Sequence, residues 1–288
     1  MQVATVLGVD VMHWNPRVPL PFRPRRLFRW TKRLPAGRRV NNFGDLLGPI
    51  VVAQQAHALH ASSRPPALPR ARLAAVGSVV HMLDPGTCVW GAGVNGNHLE
   101  LPLPESLNVR AVRGPLTRRY LMERGTQVPE VFGDPALLID YSKWIRGSAV
   151  GGVVCIQNLN DPVPVSGDGG SLGARVVSPT SALQAVVSQI AGADLVVGSS
   201  LHAVIVAEAL GIPARVVVSD SEPDFKYRDY YEGTGRSGVA FARTVQDAIR
   251  MGGVDAPPEI DTALAAAFPL DLWGADPDGE SLTDGGHS

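Results

Sequence analysis

The residues between Ala193 and Pro213 hold the densest run of chemistry-bearing types in this chain. A buried-type run, Leu195–Val197, meets Gly198, Ser199 and Ser200, then Leu201 and His202, and an apolar helix pattern closes at Gly211 and Pro213. The spacing predicts a strand, a tight serine-capped turn and a helix with an imidazole in its first turn. Free N–H groups and the positive end of the helix dipole meet there, which favours a bound anion. The same field disfavours imidazolium, so a neutral His202 is poised near neutrality to accept or donate a proton. A polar turn with a structural histidine fits the local pattern about as well.

Such a turn needs a sheet behind it. Val3–Val9 is a continuous apolar run suited to a parallel strand buried on both faces. Short strands are expected at Leu73–Val79, Cys88–Trp90, Asn108–Val112 and Val128–Phe132, with helices at Leu46–Ala61 and Leu116–Arg124. Pro115 suits the first helical position, where no N–H is needed. The pattern restarts near Gly151 with strands at Val153–Gln157, Arg175–Val177 and Arg215–Val218 and helices at Ser181–Ala191, Thr244–Met251 and Pro257–Phe268. Asn158–Gly173 reads as an exposed loop, and the acidic, Gly-rich end after Gly274 as a frayed tail.

Alternating strands and helices predict an α/β fold with parallel sheets, and the restart predicts two of them. The expected organisation is two Rossmann-like domains, 1–147 and 148–274, facing across a cleft, with a flexible tail at 275–288. Ligands of such sheets sit beyond the carboxyl ends of the strands. The turns at Gly91–Asn95, Arg113–Pro115, Gly133–Pro135 and Gly198–His202 all fall there.

A content of 45% hydrophobic and 18% charged residues fits a globular protein with a real core. The net charge of −1 gives no whole-protein argument for nucleic acid. Cys88 and Cys155 read as buried thiols in a reducing compartment, with no disulfide framework and no metal-ligand spacing, so no metal is expected. The first residues are too short an apolar run, without a basic leader, to read as a signal peptide, and no stretch reaches the ~20 apolar residues of a membrane helix. A cytoplasmic protein is expected. Nine Arg or Lys and no acid lie between Val11 and Gly44. That basic loop, 16–40, with Phe22, Phe28 and Trp30 interleaved, reads either as a solvated loop or as a peripheral contact with an anionic membrane face.

Several segments fall in the order of one known family: Asn42-Phe43-Gly44-Asp45, Trp90-Gly91-Ala92-Gly93, Val112-Arg113-Gly114-Pro115, Phe132-Gly133-Asp134-Pro135, Ser199-Ser200-Leu201-His202 and Phe225–Tyr231. Together they resemble the polysaccharide pyruvyltransferase family, in particular its bacterial exopolysaccharide ketal-forming branch. The resemblance implies a fold similar to GT-B glycosyltransferases, with phosphoenolpyruvate as co-substrate and no cofactor. The implied product is a pyruvate ketal on a saccharide, lipid-linked or not, with phosphate released.

The resemblance places the family's signature histidine on His202, with Asp134 as a second candidate for catalysis. Arg113, standing just before a helix, suits an anionic donor, as do Ser199, Ser200 and Leu201. Many members carry arginine where this chain has Ser200, so Lys226 or Arg228 must supply the missing charge. Asn42, Gly44, Asp45, Gly91, Gly93 and Tyr230 are candidate acceptor or cleft residues. Glu208, six residues beyond His202, points to another helix face and reads as a structural contact. Two other readings stay open: a GT-B-type glycosyltransferase using a nucleotide sugar, and a non-catalytic saccharide-binding relative.

Overall fold

A computed structural model describes residues 1–18, 38–61, 70–147, 151–164, 173–257 and 262–274. Most of the basic loop, the segment 165–172, the first turn expected of the last helix (258–261) and the tail 275–288 lie outside them.

The chain opens with β1 (Gln2–Val6) and β2 (Val9–His13), joined by Leu7 and Gly8 at φ 44° and 95°. The expected single strand over 3–9 is therefore a hairpin. β1 is an antiparallel edge strand with alternating exposure, and β2 is the buried one. Two positive φ values in a two-residue link match the twist of a tight hairpin. β3 (Arg17–Val18) and β4 (Arg38–Arg39) form a separate antiparallel pair. A 3-10 turn at Phe43–Leu46 leads into α1 (Leu47–Ala58). β5 (Arg72–Ala74), β6 (Cys88–Trp90), β7 (Asn108–Ala111) and α2 (Pro115–Met122) complete the first half, with Pro115 at the helix start. The sheet order is β1-β2-β5-β6-β7, parallel from β2 onward. Phe132 makes an isolated parallel bridge to Val112, and a 3-10 turn at Pro135–Leu138 follows.

The second half holds β8 (Val153–Cys155), β9 (Arg175–Val176), α3 (Leu183–Ala191), β10 (Leu195–Gly198), α4 (Leu201–Ala209) and β11 (Ala214–Val216). Its sheet is parallel throughout, ordered β11-β10-β8-β9. The chain steps outward from β8 to β9 and then crosses to β10 on the other side. The carboxyl ends of β8 and β10 thus form a topological switch point, where open α/β sheets bind ligands. α5 (Phe225–Gly233), α6 (Val245–Met251) and α7 (Thr262–Ala266) follow. The stretch Phe225–Tyr231, which supplies the cleft candidate Tyr230, lies in the helix α5. Tyr227, Tyr230 and Tyr231 stand at i, i+3 and i+4 and point together into the core.

One apolar core includes Val11, Leu73 and Trp90 of the first sheet and Val154, Val196 and Val216 of the second. Burying each large side chain contributes roughly 1.5–3 kcal/mol. The last described segment returns to the first sheet: Trp90 Nε1 donates to Leu264 O at 2.8 Å, and Trp273 Nε1 to Val6 O at 3.1 Å. Cys88 and Cys155 are buried free thiols, and burial pushes each up to about 12. Among the described residues no helix is long and apolar enough to cross a membrane.

Candidate active site

A cavity of about 290 Å³ opens at the β8/β10 switch point. The turn after β10 supplies Ser200, Leu201 and His202, and the loop after β8 supplies Asn158, Leu159 and Asn160. Trp14 follows β2, Asn42 precedes and Asp45 belongs to the 3-10 turn before α1, and Ser78 and Val79 follow β5. Asn95, His98, Glu222 and Lys226 also line it.

Gly198 lets the turn after β10 close. It sits at φ 136°, and a Cβ there would lie 2.1 Å from the Ile156 carbonyl oxygen. Ser200 caps α4, accepting from the Ala203 N–H at 3.4 Å. Among the described residues the N–H groups of Leu201 and His202, in the first turn, have no backbone acceptor. They are the open donors a helix start offers an anion.

Beside them stands an imidazole–carboxyl pair. His202 Nε2 lies 4.0 Å from Asp134 Oδ2, and both atoms are buried without a hydrogen-bond partner. Asp134 is fixed from the other side, where Oδ1 caps the 135–138 turn by accepting from Ala136 N–H at 3.0 Å. Nδ1 of His202 makes no hydrogen bond and, unlike Nε2, is not sealed from solvent. It is the ring nitrogen left to the cavity. The backbone of Gly44 forms its seat: a Cβ at that position would stand 2.3 Å from Nδ1.

The electrostatics favour neutral forms. Burial, helped by the Arg113 and Lys226 charges, depresses the His202 imidazole to about 3. Burial raises Asp134 to about 6, against the opposing pull of the Ala136 N–H and Arg113. It also raises Asp45 to about 7, although Asn42 Nδ2 donates to Asp45 Oδ2 at 2.6 Å and favours the carboxylate. Lys226 is lowered by burial but is held by Glu222 Oε2 at 2.5 Å. A value of about 3 corrects the expectation of a ring poised near neutrality: burial leaves the His202 imidazole neutral and weakly basic, beside a carboxyl able to carry a proton and an ammonium.

Other candidate residues lie elsewhere. Arg113 is fully buried behind the cavity, its donors on Asp229 Oδ2 (3.1 Å), Ser78 Oγ (2.7 Å) and the Val94 carbonyl (3.2 Å). Thr117 adds its N–H and hydroxyl to Asp229. This network locks β7 and α2 onto α5, so Arg113 reaches a ligand only through Ser78 and its field. Gly93 packs on that guanidinium, and Gly91 on the ring of Pro135, so neither meets the cavity. Ser199 faces inward, accepting from Asn158 N–H and donating to Asp161 Oδ2. Arg228 is largely exposed and paired with Asp224. Tyr230 is buried, its hydroxyl donating to Glu208 Oε2 at 2.5 Å. Glu208 also holds Arg236 through both carboxylate oxygens and is a structural contact.

Sequence reasoning passes over Trp14, His98 and Glu222, places Asn95 only within the Gly91–Asn95 turn, and reads the loop at 158–161 as merely exposed. There Asp161 gathers the hydroxyls of Ser199, Ser219 and Ser221. The available signal was the Glu222/Lys226 spacing, an i, i+4 pair entering a helix.

A family model described as polysaccharide pyruvyl transferase matches residues 74–221, just over half of the chain, and this span includes Asp134 and His202. The chain belongs to the polysaccharide pyruvyl transferase family. Membership indicates a transferase with a saccharide acceptor. No curated protein matches the sequence. A solved structure of an uncharacterized protein from Klebsiella pneumoniae subsp. pneumoniae is similar at 13% identity, covering 66% of this chain and 83% of that one, with a TM-score of 0.39. At that score the likeness carries no inference.

Proposed function

We propose that this family member transfers the enolpyruvyl carbons of phosphoenolpyruvate onto two hydroxyls of one saccharide, forming a pyruvate ketal and releasing phosphate. The observation that carries the reading is His202, backed by the buried Asp134 carboxyl, on the wall of a cavity that also holds Lys226 and the open N–H groups at the start of α4. We read the two sheets as the two Rossmann-like domains of a GT-B-like enzyme, with the reaction between them.

A small trianionic donor needs cationic and N–H partners. Lys226 and the α4 N-terminus supply them, with Arg113 adding its field from behind. His202 Nδ1 accepts the proton of the attacking sugar hydroxyl. The positive ring that results turns Nε2–H toward the Asp134 carboxylate, which stabilises it. A general base is typically worth about 10²–10⁴-fold in rate, and reaching that here requires the Asp134 carboxylate and the donor's negative charge to offset the burial that weakens the ring. Trp14, Asn95 and His98 leave an aromatic and amide-rich wall suited to a sugar ring.

The test is phosphate release from phosphoenolpyruvate in the presence of candidate glycans, with the glycan gaining the mass of pyruvate less water. Transfer of a hexose from a nucleotide sugar would instead select the glycosyltransferase reading. Saccharide binding without phosphate release would select a non-catalytic relative.

A further inference from the structure

His202 is suited to accept a proton in this cavity, yet ketal formation also requires one to be delivered to carbon. Among the described residues two half-buried carboxyl groups line the cavity, Glu222, which holds Lys226, and Asp45. Its Oδ2 accepts from Asn42 Nδ2 at 2.6 Å, and its backbone N–H donates to the Asn42 carbonyl at 3.1 Å, so the side chain is held in one orientation. Oδ1 has no hydrogen-bond partner and lies over Gly77, where a Cβ would stand 3.8 Å from it. The preceding residue, Gly44, seats the His202 ring, so the two groups are fixed against one another by adjacent residues of one turn. Among the described residues none hydrogen-bonds Oδ1, while Oδ2 is taken by Asn42.

We propose that Asp45 is a further catalytic residue, the acid that protonates the methylene carbon of the donor. This rests on the reading of the cavity given above. The Asp45 O–H bond breaks and its proton forms a C–H bond using the C2=C3 π pair of phosphoenolpyruvate, leaving a methyl group and an electron-poor C2. A sugar hydroxyl oxygen bonds C2 and its proton passes to His202 Nδ1. The C2–O bond to phosphate breaks with its electron pair on the phosphate oxygen, which takes the proton from His202. The second hydroxyl then bonds C2 and returns its proton to the Asp45 carboxylate, restoring the acid. One donor and one diol give one ketal and one phosphate, with no other reactant.

The charged groups acting on Asp45 are Glu222, in the segment before α5, and Lys226 of α5, which push its ionisation in opposite directions, with His202 of α4 on the same cavity wall. Ser78, on the β5 side, carries no charge and accepts from Arg113. Burial keeps the carboxyl protonated up to about 7, so kcat is expected to fall as pH rises through that value.

The test compares wild type with Asp45→Asn at saturating phosphoenolpyruvate and glycan, after thermal melting has confirmed folding. The proposal expects kcat to fall roughly 10²-fold or more, with donor KM changed less than about threefold. A smaller loss of kcat overturns it. Should Asp45→Asn fail to fold, Asn42→Ala decides. Removing the N–H that favours the carboxylate must move the alkaline limb of kcat to higher pH, and an unmoved limb overturns the proposal. If wild type itself releases no phosphate, the pyruvyl-transfer reading fails and this role falls with it. If wild type reacts and Asp45→Asn reacts equally well, only the role of Asp45 is lost.

Discussion

Adding one methyl group at Gly44 should inactivate the protein while leaving it folded. The new Cβ would stand 2.3 Å from Nδ1, 2.6 Å from Cγ and 2.7 Å from Cβ of His202, where ordinary contact begins at 3.4 Å. The imidazole must therefore retreat by 3.4 − 2.3 = 1.1 Å, and the nitrogen that loses its place is the one open to the cavity. A misplacement of about 1 Å in a reacting group can cost roughly 10²-fold in rate. The fold should tolerate the change better. Overpacking costs about 1–3 kcal/mol, and alanine in a helical turn recovers about 0.5–1 kcal/mol of that. At roughly 2–4 °C per kcal/mol for a domain of 150–250 residues, Gly44→Ala should melt only a few degrees lower. Phosphate release and thermal melting on one preparation test both halves. If Gly44→Ala retained kcat within a few-fold of wild type, Nδ1 of His202 would not be the reacting nitrogen.

Lys226→Met should raise the KM for phosphoenolpyruvate roughly 10- to 100-fold, as expected when a charge-assisted contact is lost, and an unchanged KM would move the donor elsewhere. Asp229→Ala leaves Arg113 buried without its carboxylate and should cost about 3–5 kcal/mol of stability, read by denaturant unfolding; a loss under about 1 kcal/mol would mean the network is not structural. Stability also carries a pH signature. Asp45 binds a proton more tightly folded (about 7) than unfolded (3.8), so its contribution is present in acid and is lost as pH rises toward 7. Asp45→Asn should accordingly melt with a flatter pH dependence than wild type between about pH 4 and about pH 7, and parallel curves would refute the raised ionisation.

The elements that carry the site are the ones most legible in the sequence. β10 and α4 are bounded by residue types with single meanings: glycine where φ is positive, serine at the cap, Gly-Ile-Pro at the stop. His202 follows from that frame. Its partner Asp134 is named by motif order, but their approach depends on the 135–138 turn packing against α4, which local pattern does not contain. Arg113 shows the converse limit. A cation before a helix reads as a ligand, while Asp229, which takes its charge, lies 116 residues away. Tyr230 fails for a related reason: a polar composition suggests a surface, yet the i, i+3, i+4 spacing of the tyrosines turns α5 inward. At the N-terminus a single glycine within an apolar run hides a hairpin, because hydrophobicity there reports burial and not direction.

Mass spectrometry of a glycan incubated with the protein and phosphoenolpyruvate tests the central claim most directly. The account predicts a gain of pyruvate less water, matched mole for mole by phosphate and abolished in His202→Ala. An equal gain with His202→Ala, or a hexose added from a nucleotide sugar in its place, would contradict it.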